Sequence, residues 1–156
     1  MGKFSATTNA FASPITTPDT AISVHANAAG ESFELVEAIM TGSGTNTAAD
    51  TPHTASVQGS TLNTAGTGSA FTADVLRGGA QASLMSVLIN YTAEPAANSG
   101  NERVQFGFNQ RGGMRYAVPQ GEGLWIHNAD TVKALLFFVV AQATGFVDAT
   151  VHYWEP

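Results

Sequence analysis

Val132-Lys133-Ala134-Leu135-Leu136-Phe137-Phe138-Val139-Val140-Ala141 is followed by Gln142-Ala143-Thr144-Gly145 and then by Phe146-Val147-Asp148-Ala149-Thr150-Val151-His152-Tyr153-Trp154. An apolar run of this length, rich in Val and Phe and closed by a Gly-containing break before an alternating segment, reads as two strands rather than as a helix pair. Leu124 to Trp154 is therefore predicted as a β-hairpin at the heart of a sandwich. The run falls short of the roughly 20 apolar residues that a membrane-crossing helix needs. Its apolar face belongs to a core or to a subunit interface.

Outward from this stretch the chain keeps to short strands. Arg103 to Asn109 places Val104, Phe106 and Phe108 on one face, with Arg103, Gln105 and Asn109 on the other. Leu84 to Tyr91 reads as a strand, and the turn-rich Glu94 to Asn101 joins the two. Met114 to Val118 and Gly123 to His127 flank a turn at Pro119-Gln120-Gly121-Glu122. Thr20 to Ala26 alternates, with Ile22 and Val24 opposite Ser23 and His25. Thr41 to Ala70 is almost entirely small and polar, yet 30 residues without structure are unusual in a compact domain, so an edge strand is expected inside it at Thr54 to Leu62. Glu31 to Met40 stays open between a helical stripe and a strand whose alternation slips at Val36-Glu37, as a bulge would make it do. Eight to ten short strands without a firm helix predict an all-β chain: a single antiparallel β-sandwich or jelly roll. Residues 1–20 carry Pro14 and Pro18 and read either as a leader without structure or as an extended arm anchored on a neighbour by Phe4, Phe11 and Ile15. Residues 21–156 form the domain.

At 156 residues a single domain buries about 70% of the surface its unfolded chain exposes, so a real core is possible. Only 12% of the residues are charged, about half the usual fraction, which points to a surface partly covered by assembly or made polar by Ser and Thr. A net charge of −6 argues against non-specific nucleic-acid binding, which depends on neutralising phosphates. With no cysteine there is no disulfide framework and no thiolate zinc site. The first residues lack the apolar segment of a secretory signal, and Ala6 stands where myristoylation wants Ser or Thr. A soluble protein without a membrane anchor is expected.

Catalytic patterns are weak throughout. His25, His53, His127 and His152 lack the close spacings of metal sites, although distant strands can assemble one. Glu31, Glu34 and Glu37, or Glu102 with Glu122, could pair as in a glycosidase, but any chain with a dozen acids offers such pairs. There is no nucleophile elbow and no nucleotide fingerprint. No catalytic residue, metal or cofactor is predicted. Alternation sets His152 opposite Val151 and Tyr153, facing solvent or an interface. The most informative polar stretch is Asn109 to Pro119: Arg111 and Arg115 near Tyr116, with Trp125 beyond, are residue types concentrated in protein–protein hot spots. The alternative is a hairpin turn at Gly112-Gly113 with its arginines in water.

Several motifs occur in a characteristic order. Tyr91-Thr92-Ala93-Glu94-Pro95, Phe108-Asn109-Gln110-Arg111 leading to Arg115-Tyr116, Pro119-Gln120-Gly121-Glu122-Gly123-Leu124 and Ala149-Thr150-Val151-His152-Tyr153-Trp154-Glu155, with Gly66 to Thr72 before them, resemble a family of small structural proteins of tailed bacteriophages. The resemblance covers roughly residues 30 to 155. It implies a jelly-roll virion protein that decorates or cements the head, often as a trimer at capsid three-fold positions, and it implies a bulged strand at Glu31 to Met40. The partners so implied are the major capsid protein and further copies of the chain, on the capsid exterior after synthesis in the host cytoplasm, with neither nucleic acid nor membrane. The expected interface residues are Phe4, Phe11, Ile15, Arg103, Arg111, Arg115, Tyr116 and Trp125. A tail, baseplate or fibre component is the alternative within structural proteins. A carbohydrate-binding sandwich, stacking sugars on Tyr116, Trp125, Tyr153 and Trp154, is the alternative from another class.

Overall fold

The computed structural model describes residues 2–8, 11–13, 19–43, 52–60, 66–77, 81–95, 102–109, 111–127, 133–141 and 145–156. Among them are thirteen strands and no helix: β1 (Gly2–Thr7), β2 (Phe11–Ser13), β3 (Asp19–Ala26), β4 (Ser32–Ser43), β5 (Pro52–Ser60), β6 (Thr67–Phe71), β7 (Asp74–Arg77), β8 (Ser86–Ala93), β9 (Glu102–Asn109), β10 (Met114–Ala117), β11 (Leu124–His127), β12 (Lys133–Ala141) and β13 (Gly145–Glu155). They form two antiparallel sheets. The first runs β10-β4-β13-β1-β7, with β11 also on β4 and β2 also on β13; the second runs β6-β8-β3-β12-β5-β9. This is the β-sandwich that the alternation predicts.

The core is the space between the sheets. Phe4, Phe33, Leu35, Ala38, Met40, Val147, Ala149, Val151 and Tyr153 enter it from the first sheet, and Ile22, Val24, Ala55, Val57, Val87 and Phe108 from the second. Tyr153 is its largest fully buried side chain, stacked on Phe4 at 5.6 Å and edge-on to Phe33 at 5.9 Å. Its hydroxyl finds Ser83 at 2.8 Å, as a buried phenol requires.

Three expectations change. The predicted 124–154 hairpin does not form, because β12 pairs with β3 and β5 in the second sheet while β13 pairs with β4, β1 and β2 in the first. Each strand has both edges taken by distant partners. The strand expected at the edge near Thr54 is β5, and it is interior, between β12 and β9. Residues 2–7, read as part of an arm, form β1, which is bonded to β13 on one side and β7 on the other. Gly2, Phe4 and Ala6 alternate with Lys3, Ser5 and Thr7, so the segment carries the period of a half-buried strand.

Of the segment Glu31 to Met40, all but Glu31 lies in β4, and the bulge is where the alternation slips. Tyr153 opposes Leu35 and His152 opposes Glu37, leaving Val36 as the extra residue. Phe33 and Leu35 before it and Ala38 and Met40 after it can then all face the core, which strict alternation forbids.

Candidate interaction face

Because directly opposed residues on antiparallel strands share a face, the registers fix what the outer side of the first sheet presents. One row crosses five strands: Trp125 on β11, Glu34 on β4, Trp154 on β13, Lys3 on β1 and Arg77 on β7. The next row is Ala117, Glu37, His152, Ser5 and Asp74. Arg115, opposite Ile39, reaches diagonally into it. Both tryptophans of the chain and three of its six Lys and Arg residues, Lys3, Arg77 and Arg115, therefore share one face.

Electrostatic contacts tie this face together. Glu37 accepts from Arg115 Nε at 2.5 Å and pairs with His152 Nδ1 at 2.7 Å, while its own side chain is only 12% exposed. Burial alone would push the Glu37 carboxyl up; the hydrogen bonds and charges of His152 and Arg115 outweigh it and hold the group below its ordinary 4.5. The Arg77 guanidinium lies 5.9 Å from the Trp154 ring centre. Trp125, 38% exposed, stacks almost parallel to His127 at 5.3 Å. Trp154 thus gains a cation–π contact from Arg77, while Trp125 offers a half-open aromatic surface backed by His127.

Glu34 anchors the face from below. It is fully buried, and its Oε1 accepts the backbone N–H groups of Gly121 at 2.7 Å and Gly123 at 2.6 Å. The Pro119-Gln120-Gly121-Glu122-Gly123 motif is the cradle for this carboxylate. A Cβ at Gly123 would collide with the Leu35 carbonyl and lie 2.8 Å from the same carboxylate oxygen. The other motifs are also fixed inside the fold. Tyr91 contacts Ser23 and His25, and Glu94 accepts from the backbone and hydroxyl of Thr20 at 3.0 and 2.5 Å. Glu155 accepts from the Ser83 hydroxyl and from Leu84 N at 3.0 Å.

Of the expected interface residues whose side chains are described, Arg115 and Trp125 meet on this face. Phe4 is in the chain's own core, because the backbone around it is paired on both sides. Tyr116 is half-buried and packs inward, since β10 places it opposite the core residue Ala38. Arg111 lies in the exposed β9–β10 turn, where its N–H donates to Asn109 Oδ1 at 2.8 Å. Arg103 is exposed on β9, at the far edge of the second sheet. Phe11 lies in β2, but its side chain is outside the described set, as is the whole of Ile15. Of the four aromatics expected to stack sugars, Tyr153 and Tyr116 turn inward and Trp125 and Trp154 outward. The alternation of 146–155 could have paired Trp154 with His152. Nothing local links either to Glu34, Glu37 or Arg77.

The histidines have separate partners: Ser23 for His25, Phe108 for His53, Trp125 for His127 and Glu37 for His152. Among the described residues no group of three or more His, Cys, Asp or Glu is placed to hold a metal ion. Ser23 Oγ lies 2.5 Å from His25 Nε2, but both residues are buried, which closes the pair to any substrate. Comparison with family models, with curated proteins and with solved structures returned no match.

Proposed function

We propose that the chain is a non-enzymatic bacteriophage virion protein of the capsid decoration type, which binds and braces the major capsid protein shell through the outer face of its first sheet. The observation that carries this reading is the concentration of both tryptophans and half of the basic residues on one sheet face of a charge-poor chain. Trp and Arg dominate binding hot spots because they join large contact area to directional bonds. A shell repeats its sites over a lattice, so modest contacts add up through avidity. The order of motifs between residues 30 and 155 supplies the class of partner, and the jelly-roll wrapping belongs to the same proposal. In this reading the protein is made in the host cytoplasm and works on the capsid exterior.

Co-sedimentation with empty shells of the major capsid protein tests it. Wild-type protein should pellet saturably, and Trp125→Ala or Arg115→Ala should weaken binding about tenfold or more, as truncating a hot spot does. Both variants should melt like the wild type. Binding that ignores both substitutions, or no binding, would remove the reading. The two outward tryptophans of one row also favour a second reading, a carbohydrate-binding module. Quenching of tryptophan fluorescence by oligosaccharides, lost in Trp125→Ala and indifferent to shells, would select it.

A further inference from the structure

The first sheet ends at β7, whose second edge pairs with no strand among the described residues. Its apolar side chains are open: Val75 is 43% exposed and Leu76 48%. Leu84, 68% exposed, lines with Gly2, Phe4 and Glu155 a cavity of about 120 Å³ at the end of β1 where Gly2 adjoins the Arg77 carbonyl. Such an edge is a template for another strand.

The sequence of β7 says which strand fits. Asp74-Val75-Leu76-Arg77 laid antiparallel on a second copy of itself sets Asp74 against the partner's Arg77, and Val75 against the partner's Leu76. Every contact then occurs twice, as a two-fold interface requires. Opposed residues must also share a face, and the bulge in β7 arranges this. Lys3 opposes Arg77 and Ser5 opposes Asp74, so Leu76 is the extra residue and both charged side chains lie on the outer face. Regular alternation over four residues would have put them on opposite faces. Val75, opposite the core residue Phe4, leans to the inner side.

We propose that two copies of the chain associate by antiparallel β7–β7 pairing, which continues the first sheet across a two-fold axis between Val75 and Leu76. Short, bulged, charged edges commonly discourage pairing, but here the two charges complement their own copies across the two-fold axis instead of repelling them, and the inward side chain is the apolar Val75. The pairing gives a two-fold state in place of the three-fold one that the resemblance implies, and it stands independently of shell binding.

The test is the mass in solution by light scattering behind size exclusion, on the full chain. Wild-type protein should show twice the 16.1 kDa chain mass. Asp74→Arg and Arg77→Asp should each halve that mass, since like charges then face each other twice. Mixing the two variants should restore the doubled mass, because each supplies the charges the other lacks; the restoration also shows that both are folded. A wild-type monomer, a trimer, or a dimer insensitive to both substitutions would overturn the proposal. So would two monomeric variants that stay monomeric when mixed.

Discussion

Glu34 accepts two backbone N–H groups through one oxygen while fully buried, so replacing it strands donors that Gly121 and Gly123 direct at no other acceptor. Glu34→Ala should cost roughly 2–6 kcal/mol by urea denaturation, at about 1–3 kcal/mol for each unsatisfied donor, and Glu34→Gln much less because its amide oxygen still accepts. Equal losses would mean that the cradle contributes nothing. His25 makes a second prediction, in pH. Burial holds its imidazole at about 4 against an ordinary 6.5. The unfolded chain therefore binds the extra proton between these values, so stability is present above 6.5 and lost as pH falls through that window, by on the order of 3 kcal/mol at most. Glu94 pulls the other way. Partial burial and the neighbouring Asp19 carboxyl raise it to about 7 from 4.5, so stability falls as pH rises between those values. Glu94 is exposed to solvent, which screens its share, and His25 sets the net slope. Thermal melts between pH 7 and pH 4 should show Tm falling with acid, more steeply in Glu94→Gln and flattened in His25→Gln. Trp125 and Arg115 were singled out by their types, and the registers set both on the outer face of the first sheet. Glu37 and His152 were not legible as their companions, because they meet across 115 positions of sequence.

The strands β4 and β8 each break alternation at one residue, and each break does a definite job. In β4 the Val36 bulge opens the gap that the Pro119–Gly123 turn fills, between β10 and β11 on the same edge. Gly123→Ala would drive a methyl group into the Leu35 backbone, so a loss of about 1–3 kcal/mol is expected from overpacking, together with weaker protection from hydrogen exchange at Gly121 and Gly123. In β8, Asn90 has φ +52°. Ile89 therefore packs toward the core, while Tyr91 turns to Ser23 on the other face. Asn tolerates this left-handed conformation and a β-branched residue does not. Asn90→Val should lose about 1–2 kcal/mol and Asn90→Gly little or nothing, as read from denaturation midpoints. The slip in β4 was visible in the sequence because Phe33, Leu35, Ala38 and Met40 cannot share a face without it. The separation of β12 from β13 was not, since a Gly-containing break serves equally well within one sheet or between two.

Across the whole molecule, composition and alternation were enough to read an all-β sandwich, because each strand records locally which of its faces is apolar. Strand order was not readable, because it depends on pairings between distant segments. The clearest case is β1, whose six residues look like a polar leader with one Phe and prove to be an interior strand. Removing residues 2–8 should abolish the cooperative unfolding transition, and Phe4→Ala should cost about 3–5 kcal/mol as a buried aromatic truncation does. A truncated chain that melts like the full one would contradict the placement of β1. This placement also bears on how the protein comes off the ribosome. Thr7 meets Thr150, 143 positions later, so β1 can meet one neighbour, β7, midway through the domain but must wait for the other, β13, until nearly all of it has been made. Long-range pairings of this kind close slowly. The nascent chain therefore carries β1 with one edge open until β13 emerges, and that interval, rather than the finished fold, is when the edge is most exposed to mispairing.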